Sequence, residues 1–113
     1  MPTWDDVIAI CEEELPELER STSYNTPALK VRGKLFARLK ESGDEIAVFV
    51  DFMEREALVQ ENPGAYVVTD HYRDYPMMVV NLRAIPSDEL REVLVESWRR
   101  RAPKRLVSEL DAG

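Results

Sequence analysis

Cysteine and histidine are nearly missing from this chain: Cys11 and His71 are each the single occurrence among 113 residues. One cysteine excludes an intramolecular disulfide, and one of each excludes a zinc site of the usual Cys and His composition within a single chain. The acids show no EF-hand spacing, so neither a metal nor a cofactor is expected. Long apolar runs are missing too. No stretch approaches the roughly 18 apolar residues of a membrane span, so no membrane partner is expected. The N-terminal Met1-Pro2-Thr3-Trp4-Asp5-Asp6 lacks the basic and apolar regions of a signal peptide, which makes a cytoplasmic location the expectation. Internal repeats and low-complexity tracts are also lacking. What remains is ordinary globular composition, 44% hydrophobic and 33% charged, and a length that suits one domain over residues 1–113.

Positive charge is scarce and segregated. Against 22 acids stand 15 Lys and Arg, for a net charge of −7. Ten of the fifteen fall in two islands, Lys30, Arg32, Lys34, Arg38 and Lys40, then Arg99, Arg100, Arg101, Lys104 and Arg105. Cations gathered in this way mark a surface that meets phosphates, or two solvated elements that answer nearby acids.

The elements follow from caps and periodicity. Thr3 with Asp6 is a capping-box-like start, and Trp4, Val7, Ile8, Cys11 and Leu15 recur at helical spacing, predicting a helix over about 3–15 that stops at Pro16. A polar connector, Ser21 to Pro27, leads to three strands, Ala28–Arg32, Lys34–Lys40 and Glu45–Asp51. A two-residue turn at Arg32-Gly33 pairs Val31 with Lys34 and Leu29 with Phe36 and carries the whole first island on one hairpin. The third strand, Ile46 to Val50, is apolar on both faces and is expected to be central, its second face covered by a loop or another subunit. Asp51 with Glu54 opens a second helix to about Asn62, with Met53, Ala57 and Leu58 inward. Strands over Ala65–Thr69 and Met77–Leu82 flank the aromatic loop Asp70 to Pro76. A last helix begins with Ser87 as N-cap, carries Leu90, Val93, Leu94 and Trp98 on one stripe, and ends or kinks at Pro103. Short connections predict a mainly antiparallel five-stranded sheet with helices layered against it, an α+β two-layer fold of order α-β-β-β-α-β-β-α.

Several stretches together resemble the MmcQ/YjbR family over nearly the full length. They are Trp4, Ser23 through Val31, Gly33 through Ala37, Thr69-Asp70-His71-Tyr72, Tyr75-Pro76, Glu96-Ser97-Trp98 and Ala102 through Leu106. The resemblance implies the same element order and a DNA-binding label that reflects likeness to winged binders; it brings no catalytic residues.

Three kinds of site follow. Lys30, Arg32 and Lys34 at the hairpin tip, with Arg99, Arg100, Lys104 and Arg105 at the helix end, are the candidate contacts to duplex DNA phosphates, without base reading. Arg38 and Lys40 lie further from the turn. The ordinary alternatives are macrodipole compensation at the end of the last helix, a Glu96–Arg100 pair, and lysines that protect a sheet edge. Tyr24, His71 and Tyr72 are the candidate pocket or ligand contacts. No nucleophile motif accompanies His71, so no catalytic residue is assigned and no enzyme is expected. Trp98 is expected in the core with a satisfied ring N–H, Met77 and Met78 in the sheet core, and a homodimer over an uncovered sheet face is the interaction alternative.

Overall fold

Thr3 caps the first helix as expected. Its hydroxyl accepts the Asp6 amide at 3.3 Å while the Asp6 carboxylate accepts the Thr3 amide at 2.8 Å, a complete capping box. The computed structural model describes residues 1–112. After α1 (Trp4–Glu14) come β1 (Leu18–Ser23), β2 (Thr26–Val31), β3 (Lys34–Leu39), β4 (Glu45–Phe49) and α2 (Phe52–Glu61). The chain continues through β5 (Tyr66–Val67), a 3-10 turn at Asp70–Tyr72, β6 (Met77–Asn81), α3 (Ser87–Arg101) and α4 (Lys104–Ala112).

The class is α+β, but the sheet has six strands rather than five, in the order β1-β2-β3-β4-β6-β5, every pair antiparallel. The added strand is β1, drawn from the polar segment expected to be a connector. Its turn into β2 uses Tyr24 and Asn25, both at positive φ (52° and 65°), the backbone of a type I′ hairpin in which Ser23 faces Thr26. The second hairpin turns on Arg32 (φ 49°) and Gly33 (φ 78°). There Val31 faces Lys34 as expected, but Leu29 faces Ala37 rather than Phe36. Phe36 is the extra residue of a β-bulge, and both it and Ala37 turn to the core. Because β1 flanks this hairpin, β2 and β3 lie inside the sheet, and edge protection does not account for their lysines.

One face of the sheet meets the helices. Val7, Ile8 and Cys11 of α1, Leu90, Leu94 and Trp98 of α3 and Leu106 of α4 pack with Leu29, Phe36, Ile46, Val48, Met78 and Val80. Each such aliphatic side chain contributes roughly 1.5–3 kcal/mol on burial. Trp98 is fully buried, yet its ring N–H meets no acceptor among the described residues, against expectation. Three helix details also differ. α2 rests on the core through Leu58 and Val59, whereas Ala57 is exposed and Met53 stands 86% exposed. Asp51 does cap α2 as expected, accepting the Glu54 amide at 2.8 Å. Pro86, not Ser87, is the N-cap of α3, and beyond Pro103 the expected short turn is the nine-residue α4.

The other face is lined by the alternate residues of the central strands. Ala47 and Val79 are covered there by Tyr72, with Met77 packed beside them, so the second cover is the Asp70–Pro76 loop. Met78 faces the helices and Met77 this second face.

Candidate basic surface and ligand cleft

The end of α3 packs against the basic hairpin. Arg101 at the end of α3 donates through Nε to the carbonyl of Leu35 in β3 at 3.0 Å, which ties the last helix to the basic hairpin. Three of the seven candidate phosphate contacts are already engaged. Arg32 donates from Nε and Nη2 to Glu17 at 2.5 and 3.0 Å, and this hydrogen bonding holds the Glu17 carboxyl below its usual range. Glu19 accepts the adjacent Gly33 amide at 3.0 Å. Arg99 pairs with Asp111 of α4 and, at 3.5 Å, with Glu96. Arg100 bridges Asp51 at 2.8 Å and Glu54 at 2.9 Å, both at the start of α2. The expected Glu96–Arg100 pair is therefore replaced by Glu96–Arg99. Lys30, Lys34, Lys104 and Arg105 form no ion pair among the described residues, and all but Lys30 are exposed.

The three candidate pocket residues do come together. Tyr24, His71 and Tyr72 line a cleft of about 380 Å³ on the second sheet face. The His71 ring stands edge-on to Tyr72 at 4.8 Å and to Tyr24 at 6.5 Å, and lies 6.5 Å from Tyr75. Leu35, Phe49 and Met77 of the central strands line it with apolar surface, and Tyr75, Pro76, Arg38 and Arg101 complete the lining.

Arg38 projects from β3 and is only 5% exposed. Its Nη1 donates to Thr26 Oγ1 at 2.7 Å, the Leu39 carbonyl at 3.2 Å and Glu41 at 3.1 Å, while Nε makes a long 3.4 Å contact with the Tyr72 hydroxyl. The guanidinium carbons of Arg38 and Arg101 lie 5.0 Å from the Tyr24 ring and 4.6 Å from the Phe49 ring. The loop that forms the outer wall is fixed from behind. Arg55 of α2 donates to the carbonyls of Tyr72, Arg73, Tyr75 and Met77 at 2.7 to 3.1 Å, four acceptors that one planar guanidinium reaches together.

The model of the YjbR family matches residues 13–100. The chain belongs to the YjbR family. Among relatives of this YjbR protein, an uncharacterised protein of Mycobacterium bovis and one of Mycobacterium tuberculosis are each 32% identical to it, over 95% of this chain and 94% of theirs. A crystal structure of a Deinococcus radiodurans protein with a DUF419 domain superposes with a TM-score of 0.78 at 24% identity, covering 98% of this chain and 89% of that one. That likeness shows the YjbR fold alone, so the chemistry of both sites rests on the residues just described.

Arg55 and Arg101, both central to the cleft's geometry, were not singled out as pocket residues from sequence. Arg101 lay in a charge run and Arg55 in a helix face of no evident purpose. The Tyr72 loop is recognisable in the sequence because it is dense in aromatic and ionisable groups, and loops of that kind often carry function.

Proposed function

We propose that this YjbR domain is a non-enzymatic nucleic-acid-binding module that holds duplex DNA by its phosphates, without reading sequence, at the end where the β2–β3 hairpin and the α3–α4 corner meet. The observation that carries this reading is the Arg101–Leu35 hydrogen bond, which brings the end of α3 against the β2–β3 hairpin. There Lys30, Lys34, Lys104 and Arg105 supply the phosphate contacts, and Arg32, Arg99 and Arg100 serve mainly to neutralise Glu17, Asp111, Asp51 and Glu54. The DNA-binding label carried by the family resemblance supports the same reading. Non-enzymatic action fits a His71 surrounded by tyrosine rings in a cleft lined, among the described residues, by no serine, threonine or cysteine.

Four phosphate contacts give a log-log salt slope of roughly −3 to −4. Anisotropy of a labelled duplex, measured between about 50 and 200 mM salt, reads that slope directly. No binding at the lower salt refutes the proposal.

A second reading, a protein-interaction module, is favoured by Met53 at 86% and Phe52 at 49% exposure, side by side at the start of α2. The partner in this reading is a second copy of the chain, meeting at α2 rather than over the sheet face that the Tyr72 loop covers. Sedimentation then shows concentration-dependent association that Met53→Glu abolishes. A monomer at every concentration refutes it.

A further inference from the structure

Arg38 is a permanent cation held nine-tenths out of water, and its protein partners do not use all of its donors. Nε and Nη1 are engaged, but Nη2 has no hydrogen-bond partner among the described residues. Its carboxylate partner Glu41 is 66% exposed and reaches Nη1 alone. Arg101 behaves alike: Nε is used on the Leu35 carbonyl, and neither Nη atom has a partner among the described residues. Both guanidinium groups line the same cleft. One free donor fork, the Nη1/Nη2 edge of Arg101, and the single free Nη2 of Arg38 in one concave site match the oxygens of a carboxylate or phosphate.

The rest of the lining asks for a ring. The surface that Leu35, Phe49 and Met77 supply is apolar, and Tyr24, at the mouth, is 70% exposed. Tyr24 occupies its turn at φ 52°, a left-handed backbone that bulky residues rarely adopt and that Asn or Gly would fill with less strain. What Tyr24 supplies in return is an aromatic face beside Arg38. A volume of about 380 Å³ suits a small organic molecule.

We propose that the cleft between Tyr24, Arg38, His71 and Arg101 binds a small planar ring carrying one anionic group, a carboxylate or a phosphate, with the anion on the Arg101 fork and the free Nη2 of Arg38 and the ring against the aromatic wall. The cleft's cations are distinct from the four assigned to DNA, so this proposal stands or falls apart from that reading.

Calorimetric titration of the full chain with indole-3-carboxylate and with adenosine monophosphate tests it. Saturable binding of either supports the proposal, and the tighter of the two identifies the source of the anion. Neutral indole and inorganic phosphate, each offering half of the chemistry, bind at least about tenfold more weakly. Arg101→Gln, at a partly exposed position, weakens the ring anion by about tenfold or more with unchanged circular dichroism. Lys104→Gln with Arg105→Gln leaves it unchanged. The proposal is overturned by no saturable binding of either ring anion up to a few millimolar, by equal binding of neutral indole, or by equal losses in Arg101→Gln and the Lys104/Arg105 variant.

Discussion

The ion pairs at the basic end make a prediction that net charge alone does not. Neutralise two cations that are free, by Lys104→Gln with Arg105→Gln, or two that are engaged, by Arg99→Gln with Arg100→Gln; both variants lose two positive charges. If four cations reach phosphates, a slope of −0.9 per contact gives about −3.6, so a fourfold rise in salt weakens duplex binding about 150-fold. Removing Lys104 and Arg105 leaves two contacts, a slope near −1.8 and a loss of only about 12-fold over the same interval. Arg99 and Arg100 are bound to Asp111, Glu96, Asp51 and Glu54 rather than to phosphates, so they contribute few of the counterions released on binding and their removal leaves the slope within about 0.5 of the parent. It does leave carboxylates without partners, at a stability cost of about 1 kcal/mol or less per pair because these groups are partly solvated. Fluorescence anisotropy across a salt series measures the slopes, and urea denaturation measures the stability. Equal slope changes in the two variants refute the division into free and engaged cations.

Two further perturbations test the fold. Burial pushes the Cys11 thiol up to about 12 from 9.0, with a smaller contribution from Glu12. A raised folded-state value means stability is intact below the unfolded value and is lost as pH rises through the interval from 9 to 12. Cys11→Ala therefore removes about 3 kcal/mol of the stability lost between roughly pH 8 and pH 11, read from urea midpoints at each pH; an unchanged alkaline loss overturns the assignment. Tyr66, whose hydroxyl is raised by burial and by its bond to Glu89, acts with the same sign at higher pH and remains in both proteins. At Gly33, φ is 78° and no atom lies within 4 Å of an added Cβ, so Gly33→Ala costs about 1 kcal/mol through backbone strain alone. Gly64 has ordinary backbone and only Asn62 Oδ1 nearby at 3.6 Å; Gly64→Ala is neutral or stabilises by about 0.5 kcal/mol in the same urea assay, and equal effects at the two glycines refute the distinction.

Much of the framework could be read from residues whose signal is local. Thr3 with Asp6 and Asp51 with Glu54 located two helix starts, and the doubly apolar Ile46 to Phe49 located a central strand. β1 was not legible, because Leu-Glu-Arg-Ser-Thr-Ser has little of the apolar alternation of a half-buried strand and its turn is Tyr-Asn rather than Asn-Gly. Met53 was placed inward because the helical period has no phase until a neighbour supplies one, and α2 touches the core only through its later turns. Arg100 had an acid at helical spacing, but α2 brings two others within reach. The cleft was legible only as fragments. Tyr24, His71 and Tyr72 stood out as aromatic and titratable groups in connectors, while Leu35, Arg38, Phe49 and Arg101 become its neighbours only when β3, β4 and α3 pack.

The bulge at Phe36 governs where a charge goes. Strand residues alternate like the parity of a count, and one uncounted residue reverses every assignment after it. With Phe36 and Ala37 both turned to the helices, Arg38 emerges on the face of Ala47. Without that extra step, and with Leu35 held in place, the same arginine would point among Ile46 and Val48, and Ala37 would take its place on the cleft side. Straightening the bulge with every residue kept thus exchanges a cleft-facing cation for a charge trapped under the helices, whereas deleting Phe36 outright removes the uncounted residue and leaves Arg38 on the cleft side. Whether the cleft has one arginine or two depends on one uncounted residue at Phe36.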